Sequence, residues 1–128
     1  MRMTVHLAPA LIAALGWQGA AAEDAMVAVE VPELSEAALA GKALFDGNCA
    51  RCHGVNAAGR RTAGPPLVHR IYEPGHHGDL SFLLAARNGV RAHHWRFGNM
   101  PPVMGVTDAE VAAIIVYVRE LQRANGIE

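Results

Sequence analysis

Cysteine and aromatic residues are scarce in this sequence. Among 128 residues there are two cysteines, and aromatic residues make up 5% of the chain. Any cysteine chemistry is therefore confined to one site. A core has to be built from alanine, valine, leucine and isoleucine, or around a group that the sequence does not encode.

Charge and long apolar segments are also limited. Charged residues make up 18% of the chain and the formal net charge is −1. A nucleic-acid-binding domain would be strongly basic, and a polytopic membrane protein would need several apolar segments of about 20 residues. Hydrophobic residues nevertheless make up 52% of the chain, which excludes general disorder, and 128 residues allow one domain.

The first 22 residues have the pattern of a secretory signal peptide. Arg2 precedes an apolar stretch, and Ala20-Ala21-Ala22 offers the small residues that a signal peptidase recognises. A short uncleaved membrane anchor is the alternative, but Leu7 to Ala22 is shorter than the roughly 20 residues that a spanning helix needs. We therefore expect a signal peptide over residues 1–22 and no membrane span in the mature chain. Residues 23–34 are expected to form an acidic, extended and mobile extension, and residues 35–126 the folded domain.

The two cysteines stand in the pentapeptide Cys49-Ala50-Arg51-Cys52-His53. A disulfide of the thioredoxin type would need a strand–helix–strand context, and a zinc site would need a second pair of ligands at finger-like spacing. Neither is present. The third interpretation is covalent haem attachment, for which C-x-x-C-H is the signature. Residues i and i+3 share one face of a helical turn, so both thiols can reach the two vinyl groups of one porphyrin, and His53 can bind the iron. The sequence predicts one covalently attached haem c per chain, which also supplies the missing core.

Three segments have helical patterns, and no strand pattern of any length is present. Ser35 is a suitable N-cap for a helix over 36–48, and Asp79 for a short helix over 80–88 that ends at Gly89. A last helix begins at the capping box of Thr107 and Glu110 and ends at Asn125-Gly126. Its expected buried residues are Val111, Ile114, Ile115, Val118 and Leu121. Two loops rich in glycine and proline, over 54–78 and 90–106, separate these helices.

The order of these features resembles the class I monohaem cytochrome c family over residues 33–125. Gly41 and Phe45 stand eight and four residues before Cys49, as in the family's first helix, and Tyr117 is placed to cross that helix from the last one. The glycine supports the resemblance, because a residue without a side chain lets the backbones of two crossing helices approach closely. The resemblance implies an all-α cytochrome c fold, with three main helices and long loops wrapped around one covalently attached haem.

The resemblance also implies the iron ligands. The family's second axial ligand is a methionine in a Met-Pro context, which Met100 matches, whereas Met104 has no proline after it. His93 or His94 is the alternative, and a second histidine would lower the reduction potential. Gly64-Pro65-Pro66-Leu67 resembles the loop whose proline carbonyl accepts the Nδ1–H of the proximal histidine. Pro65 is therefore expected to orient His53, unless it is only a turn proline.

Several donor side chains are left without an assigned role. Trp95 and Arg96 carry only hydrogen-bond donors, so they are candidates for contacts with the haem propionates, against simple packing or surface placement. The remaining loop histidines are expected to be solvated, although together with Met100 and Met104 they could form a copper site. These histidines are His69, His76, His77, His93 and His94.

The function implied is that of a soluble, monomeric electron carrier of the bacterial periplasm, not an enzyme. Residues 51–96 hold seven arginines against Glu73 and Asp79, while both ends of the chain are acidic. The family places these loops around the haem edge, so we expect redox partners with an acidic docking surface. One alternative is a haem- or copper-handling binding or sensor protein. The other is a c-haem peroxidase, but no acid–base catalyst for it stands out.

Overall fold

The computed structural model describes residues 24–128, so the predicted signal peptide lies outside the described residues. The described chain contains four α-helices: α1 (Glu36–Asn48), α2 (Ala50–His53), α3 (Asp79–Asn88) and α4 (Asp108–Ala124). Two 3₁₀ turns, Val55–Ala57 and Arg70–Tyr72, lie within the long loop between α2 and α3. Residues 24–128 form no strand, only isolated bridges between Arg60 and Gly64 and between Val90 and Met100. The predicted all-α class is confirmed.

Two of the three predicted N-cap residues cap their helices as expected. The Ser35 hydroxyl accepts a hydrogen bond from Ala38 N at 3.1 Å at the start of α1. The capping box of Thr107 and Glu110 is complete at the start of α4. The predicted N-cap of α3 is wrong, because α3 begins at Asp79 itself and is preceded by Gly78, which has no side chain to cap it. Asp79 instead lies in the first turn, where a carboxylate is favoured by the helix dipole.

The crossing of α1 over α4 forms the centre of the core. A Cβ placed on Gly41 would lie 2.0 Å from the carbonyl oxygen of Ala113 on α4, so only glycine fits at this contact. One turn further along α1, the Phe45 ring packs against Tyr117 with ring centroids 5.5 Å apart. Both aromatic side chains are fully buried, as the family resemblance implied.

The buried face of α4 is wider than the sequence predicted. All five expected apolar residues are buried, and Tyr117, Arg119 and Gln122 are buried with them. Gln122 Nε2 donates to the carbonyl oxygens of Leu67 at 2.8 Å and Tyr72 at 3.0 Å. The helix thereby holds the loop between α2 and α3 through polar contacts as well as apolar ones.

Residues 24–34 are extended, as expected, but they are held against the domain, contrary to the expectation of a mobile tail. Met26 N donates to Ala58 O at 3.0 Å. The Asn125 side chain accepts from Glu30 N at 2.9 Å and donates to Glu30 O at 2.8 Å, joining the segment to the end of α4. Val29 and Leu34 of this segment pack on the core.

Within residues 24–128, none of the helices combines the length and the apolar character that crossing a membrane requires.

Candidate haem site

An apolar cavity of about 770 Å³ lies among the helices and the long loops. One part of its wall comes from the end of α1 and from α2, and another from the loop that follows α3. Ile114 and Ile115 of α4 contribute apolar side chains to it. The cavity therefore lies where all the helices and both long loops meet.

The C-x-x-C-H residues occupy one part of this wall. Cys49 joins α1 to α2, while Cys52 and His53 lie in the single turn of α2, and all three line the cavity. The two cysteines do not form a disulfide with each other. Burial, with a smaller contribution from Cys52, raises the pKa of the Cys49 thiol to about 11. The helical turn thus presents both thiols to one apolar space, as the spacing predicted.

His53 is held in one orientation by the loop that follows α2. Its Nδ1 lies 2.8 Å from the carbonyl oxygen of Pro65, so Nδ1 carries the proton and donates it to this bond. Burial lowers the pKa of His53, and the Pro65 bond offsets part of that effect. The result is a neutral imidazole whose Nε2 is left as a ligand atom.

The structure separates the two candidate methionines. Met100 is half-buried and lines the cavity, whereas Met104 is 87% exposed and does not. Met100 is fixed by two backbone hydrogen bonds with Val90, each 2.9 Å long. A Cβ on Gly89 would lie 2.5 Å from Met100 O, so the glycine that ends α3 also permits this approach. Sequence reasoning identified Gly89 only as a helix stop.

Of the two residues expected to contact the haem propionates, Trp95 lies at the cavity and Arg96 does not. Trp95 lines the cavity, and its buried Nε1 has no hydrogen-bond partner among the described residues. Burial raises the pKa of Tyr72, which also lines the cavity. Arg96 is exposed and is not part of the cavity wall, so the structure does not bring it to the site. Arg51, which the sequence reasoning did not single out, is exposed and does line the cavity.

The loop histidines are not all separate and solvated. His69 caps a 3₁₀ turn by accepting from Ile71 N at 3.2 Å. His76, His77 and His94 bring three ring nitrogens within 4.8 Å of one another, and His93 stacks on His77. Partial desolvation, followed by repulsion from His93, His77 and His76, lowers the pKa of His94. The turn before α3 and the loop after it thus bring the rings of His76, His77 and His94 together.

These features fit a haem. An apolar cavity, two thiols on one turn, a neutral histidine with a free Nε2 and a half-buried methionine supply the attachment and ligand atoms that a c-type haem needs. The unpartnered indole N–H of Trp95 is a donor for which a propionate oxygen would be a suitable acceptor. Among the described residues, no cluster of three metal-ligating side chains includes the cysteines, which argues against a zinc site there.

Comparison with known proteins agrees with this geometry. A curated relative, the cbb3-type cytochrome c oxidase subunit CcoP of Azospirillum brasilense, is 37% identical over 91 residues, which is 66% of this chain and 28% of the relative. The chain thus spans less than a third of that relative's length. No solved structure gives a significant match. The sequence model of the cytochrome c family matches residues 38–122, from the first helix to the end of the last. The chain belongs to the cytochrome c family.

Proposed function

We propose that this chain is a periplasmic carrier of single electrons with one haem c. In this proposal Cys49 and Cys52 form the thioether bonds, and His53 and Met100 are the axial ligands. The observation that carries it is that these four side chains line one apolar cavity. When bound, the haem supplies a one-electron Fe(III)/Fe(II) couple.

The residues around the ligands favour electron transfer over ligand activation. The imidazole of His53 is oriented by Pro65 O, and the backbone that carries Met100 is fixed by two hydrogen bonds to Val90. Ligands that stay in place in both oxidation states leave no open position for a small molecule. This arrangement supports a carrier rather than a peroxidase or a gas sensor.

The charge around the site supports an acidic redox partner. Arg60 is paired with Asp24 and Arg87 with Asp108. The other five arginines of residues 51–96 are exposed and have no acidic partner within residues 24–128; they are Arg51, Arg61, Arg70, Arg91 and Arg96. Of these, Arg51 also lines the cavity. The relative's name includes an oxidase, so an oxidase of that kind is one candidate acceptor.

The central experiment is a redox titration of the haem-loaded protein. A carrier should titrate reversibly as a one-electron couple, with a six-coordinate absorption spectrum in both oxidation states and no turnover of hydrogen peroxide. A five-coordinate ferrous form that binds CO stoichiometrically would support the sensor alternative instead. Sustained peroxide turnover would support the peroxidase.

Export is proposed from the pattern of residues 1–22. After expression of the full chain in a bacterium with haem-attachment machinery, we expect haem c in the periplasmic fraction and a mature N-terminus at Glu23. A haem protein that starts at Met1 and sediments with the membranes would support the uncleaved anchor.

A further inference from the structure

Three histidine side chains outside the proposed iron ligands converge at the edge of the haem cavity. His76 and His77 lie in the turn that precedes α3, and His94 lies in the loop that follows it. Their ring nitrogens all lie within 4.8 Å of one another. From this convergence we propose that His76, His77 and His94 form a binding site for a divalent transition-metal ion such as Zn²⁺ or Cu²⁺.

The spacing of two of these nitrogens is that of metal ligands. His76 Nε2 and His94 Nε2 are 3.4 Å apart. Two nitrogens that are each about 2.0–2.1 Å from one tetrahedral ion are about 3.3–3.4 Å apart. The two rings therefore already have the separation that a shared ion would impose.

His77 has the outer hydrogen bond that metal-binding histidines usually make. Its Nδ1 donates to the carbonyl oxygen of Ile71 at 2.6 Å, so the ring is held in place and Nε2 is left as the ligand atom. A backbone carbonyl on the second ring nitrogen fixes the tautomer and makes the imidazole a better ligand. This observation is independent of the spacing between His76 and His94.

The turn that carries His76 and His77 is anchored from the core. Both backbone N–H groups donate to Glu73 O, at 3.0 and 2.8 Å. The buried guanidinium of Arg119 on α4 donates to His77 O at 2.6 Å and to Tyr72 O at 2.7 Å. The backbone of this turn is thus held by Glu73 O and, at Tyr72 and His77, by Arg119 of α4.

The chemistry of the ligand set indicates the class of ion. Three imidazoles suit zinc, copper and nickel rather than magnesium or calcium, which prefer oxygen ligands. His76 and His94 are exposed, so the site is open to solvent, and a fourth position remains for water or a further side chain. His93 packs against both His77 and His94, with ring centroids 6.0 and 4.2 Å apart.

The site would act close to the haem without depending on it. His77 and His94 line the haem cavity, so a bound dication would favour the ferrous state and raise the reduction potential of the haem. The metal site itself stands on the three histidines and does not require that the protein transfer electrons.

The test is a calorimetric titration of the haem-loaded protein, without a histidine tag, with Zn²⁺. We expect one ion per chain, and at least about 100-fold weaker binding in His76→Gln and in His94→Gln, because losing even an outer partner of a metal ligand costs 10–100-fold. Arg123→Gln is the control and should keep the wild-type affinity, because Arg123 is exposed on α4 and lies outside the cluster and outside the cavity wall. The Cu²⁺ form should show nitrogen hyperfine structure in its electron paramagnetic resonance spectrum, lost in His94→Gln.

Two outcomes would overturn the proposal. One is the absence of stoichiometric Zn²⁺ binding. If, in addition, His94→Gln changes the haem spectrum, His94 is a propionate contact and not a metal ligand. The other is equal Zn²⁺ affinity in wild type, His76→Gln and His94→Gln, which indicates adventitious binding elsewhere. Neither outcome bears on the electron carrier, which is judged by the redox titration without added metal.

Discussion

The Nδ1 atom of His53 lies 2.8 Å from the carbonyl oxygen of Pro65, twelve residues further along the chain. The bond joins the turn that carries the cysteines to the loop between α2 and α3. It sets the tautomer of His53 and increases the electron density at Nε2, which favours the higher charge on a bound iron. Its strength should therefore contribute to the reduction potential.

Gly64→Ala tests this bond through its backbone. A Cβ on Gly64 would lie 2.9 Å from Cys52 O, so the loop must shift away from α2 and weaken the contact between Pro65 and His53. The potential should rise by up to about 20–40 mV, which is the shift of a one-electron couple if the whole of about 0.5–1 kcal/mol of hydrogen bonding stabilises only the ferric state. Gly75→Ala, in the same loop with no atom within 4 Å of the new Cβ, should leave the potential unchanged. Equal potentials in the two variants would show that the Pro65 contact does not tune the haem.

Met100 and Met104 provide a second matched pair. Met100→Ala should abolish the weak charge-transfer band near the red edge of the ferric spectrum that indicates sulfur ligation by methionine. Met104→Ala should keep the band, because Met104 is 87% exposed and lies outside the cavity wall. Loss of the band in Met104→Ala alone would mean that Met104 is the ligand.

Gly41→Ala should destabilise the crossing of α1 over α4. The new Cβ would lie 2.0 Å from Ala113 O, a backbone atom that moves only with α4, so we expect a loss of about 2 kcal/mol or more. Gly47→Ala, on the same helix with no atom within 4 Å of the new Cβ, should gain up to about 1 kcal/mol of helix propensity. Thermal unfolding of the two holoproteins measures the difference. A similar melting temperature for both would contradict the close approach.

The sequence predicted the parts of this molecule that depend on local spacing. The helix caps at Ser35 and Thr107 follow from residues at fixed separations. The pairing of Phe45 with Tyr117 and the contact between His53 and Pro65 were implied by the family resemblance, and both are present. The start of α3 was missed by one residue, because Asp79 is as favourable in a first turn as at an N-cap.

The parts that were missed depend on contacts between loops distant in sequence. The cluster of His76, His77 and His94 forms because the turn before α3 and the loop after it meet in space, which no local pattern encodes. The pairing of Val90 with Met100 closes a single loop across nine intervening residues, and no local pattern predicted it either. The burial of Arg119 could have been predicted, because Arg119 follows Ile115 by one helical turn and so extends the buried face of α4. It was not predicted, because a charged residue is not expected in a buried position.

Arg119→Lys should lower the free energy of unfolding, because it removes the buried guanidinium. Arg119 donates to Asp79 Oδ1, Tyr72 O, Gln122 Oε1 and His77 O at distances of 2.6–2.9 Å, and a lysine cannot reproduce this planar set of donors. We expect a loss of about 2–4 kcal/mol in the free energy of unfolding. Arg123→Lys, one turn further along α4 and exposed, should change it by less than about 0.5 kcal/mol. Chemical denaturation of the holoproteins compares the two, and equal stability would show that the network around Arg119 contributes little.

The unpaired arginines should steer anionic partners to the haem edge. Five arginines of residues 51–96 are exposed without an acidic partner in the described chain, and Arg51 lies on the cavity wall. The second-order rate of reaction with an anionic redox reagent should therefore fall as salt is raised, because charges are screened beyond a Debye length of about 8 Å at physiological ionic strength. The rate with a cationic reagent should stay constant or rise. Arg51→Gln should weaken the salt dependence with the anionic reagent more than Arg123→Gln, which removes the same charge from the end of α4, outside the cavity wall. An equal salt response to both reagents would mean that the basic segment does not face the haem edge, and the expectation of an acidic partner would fail with it.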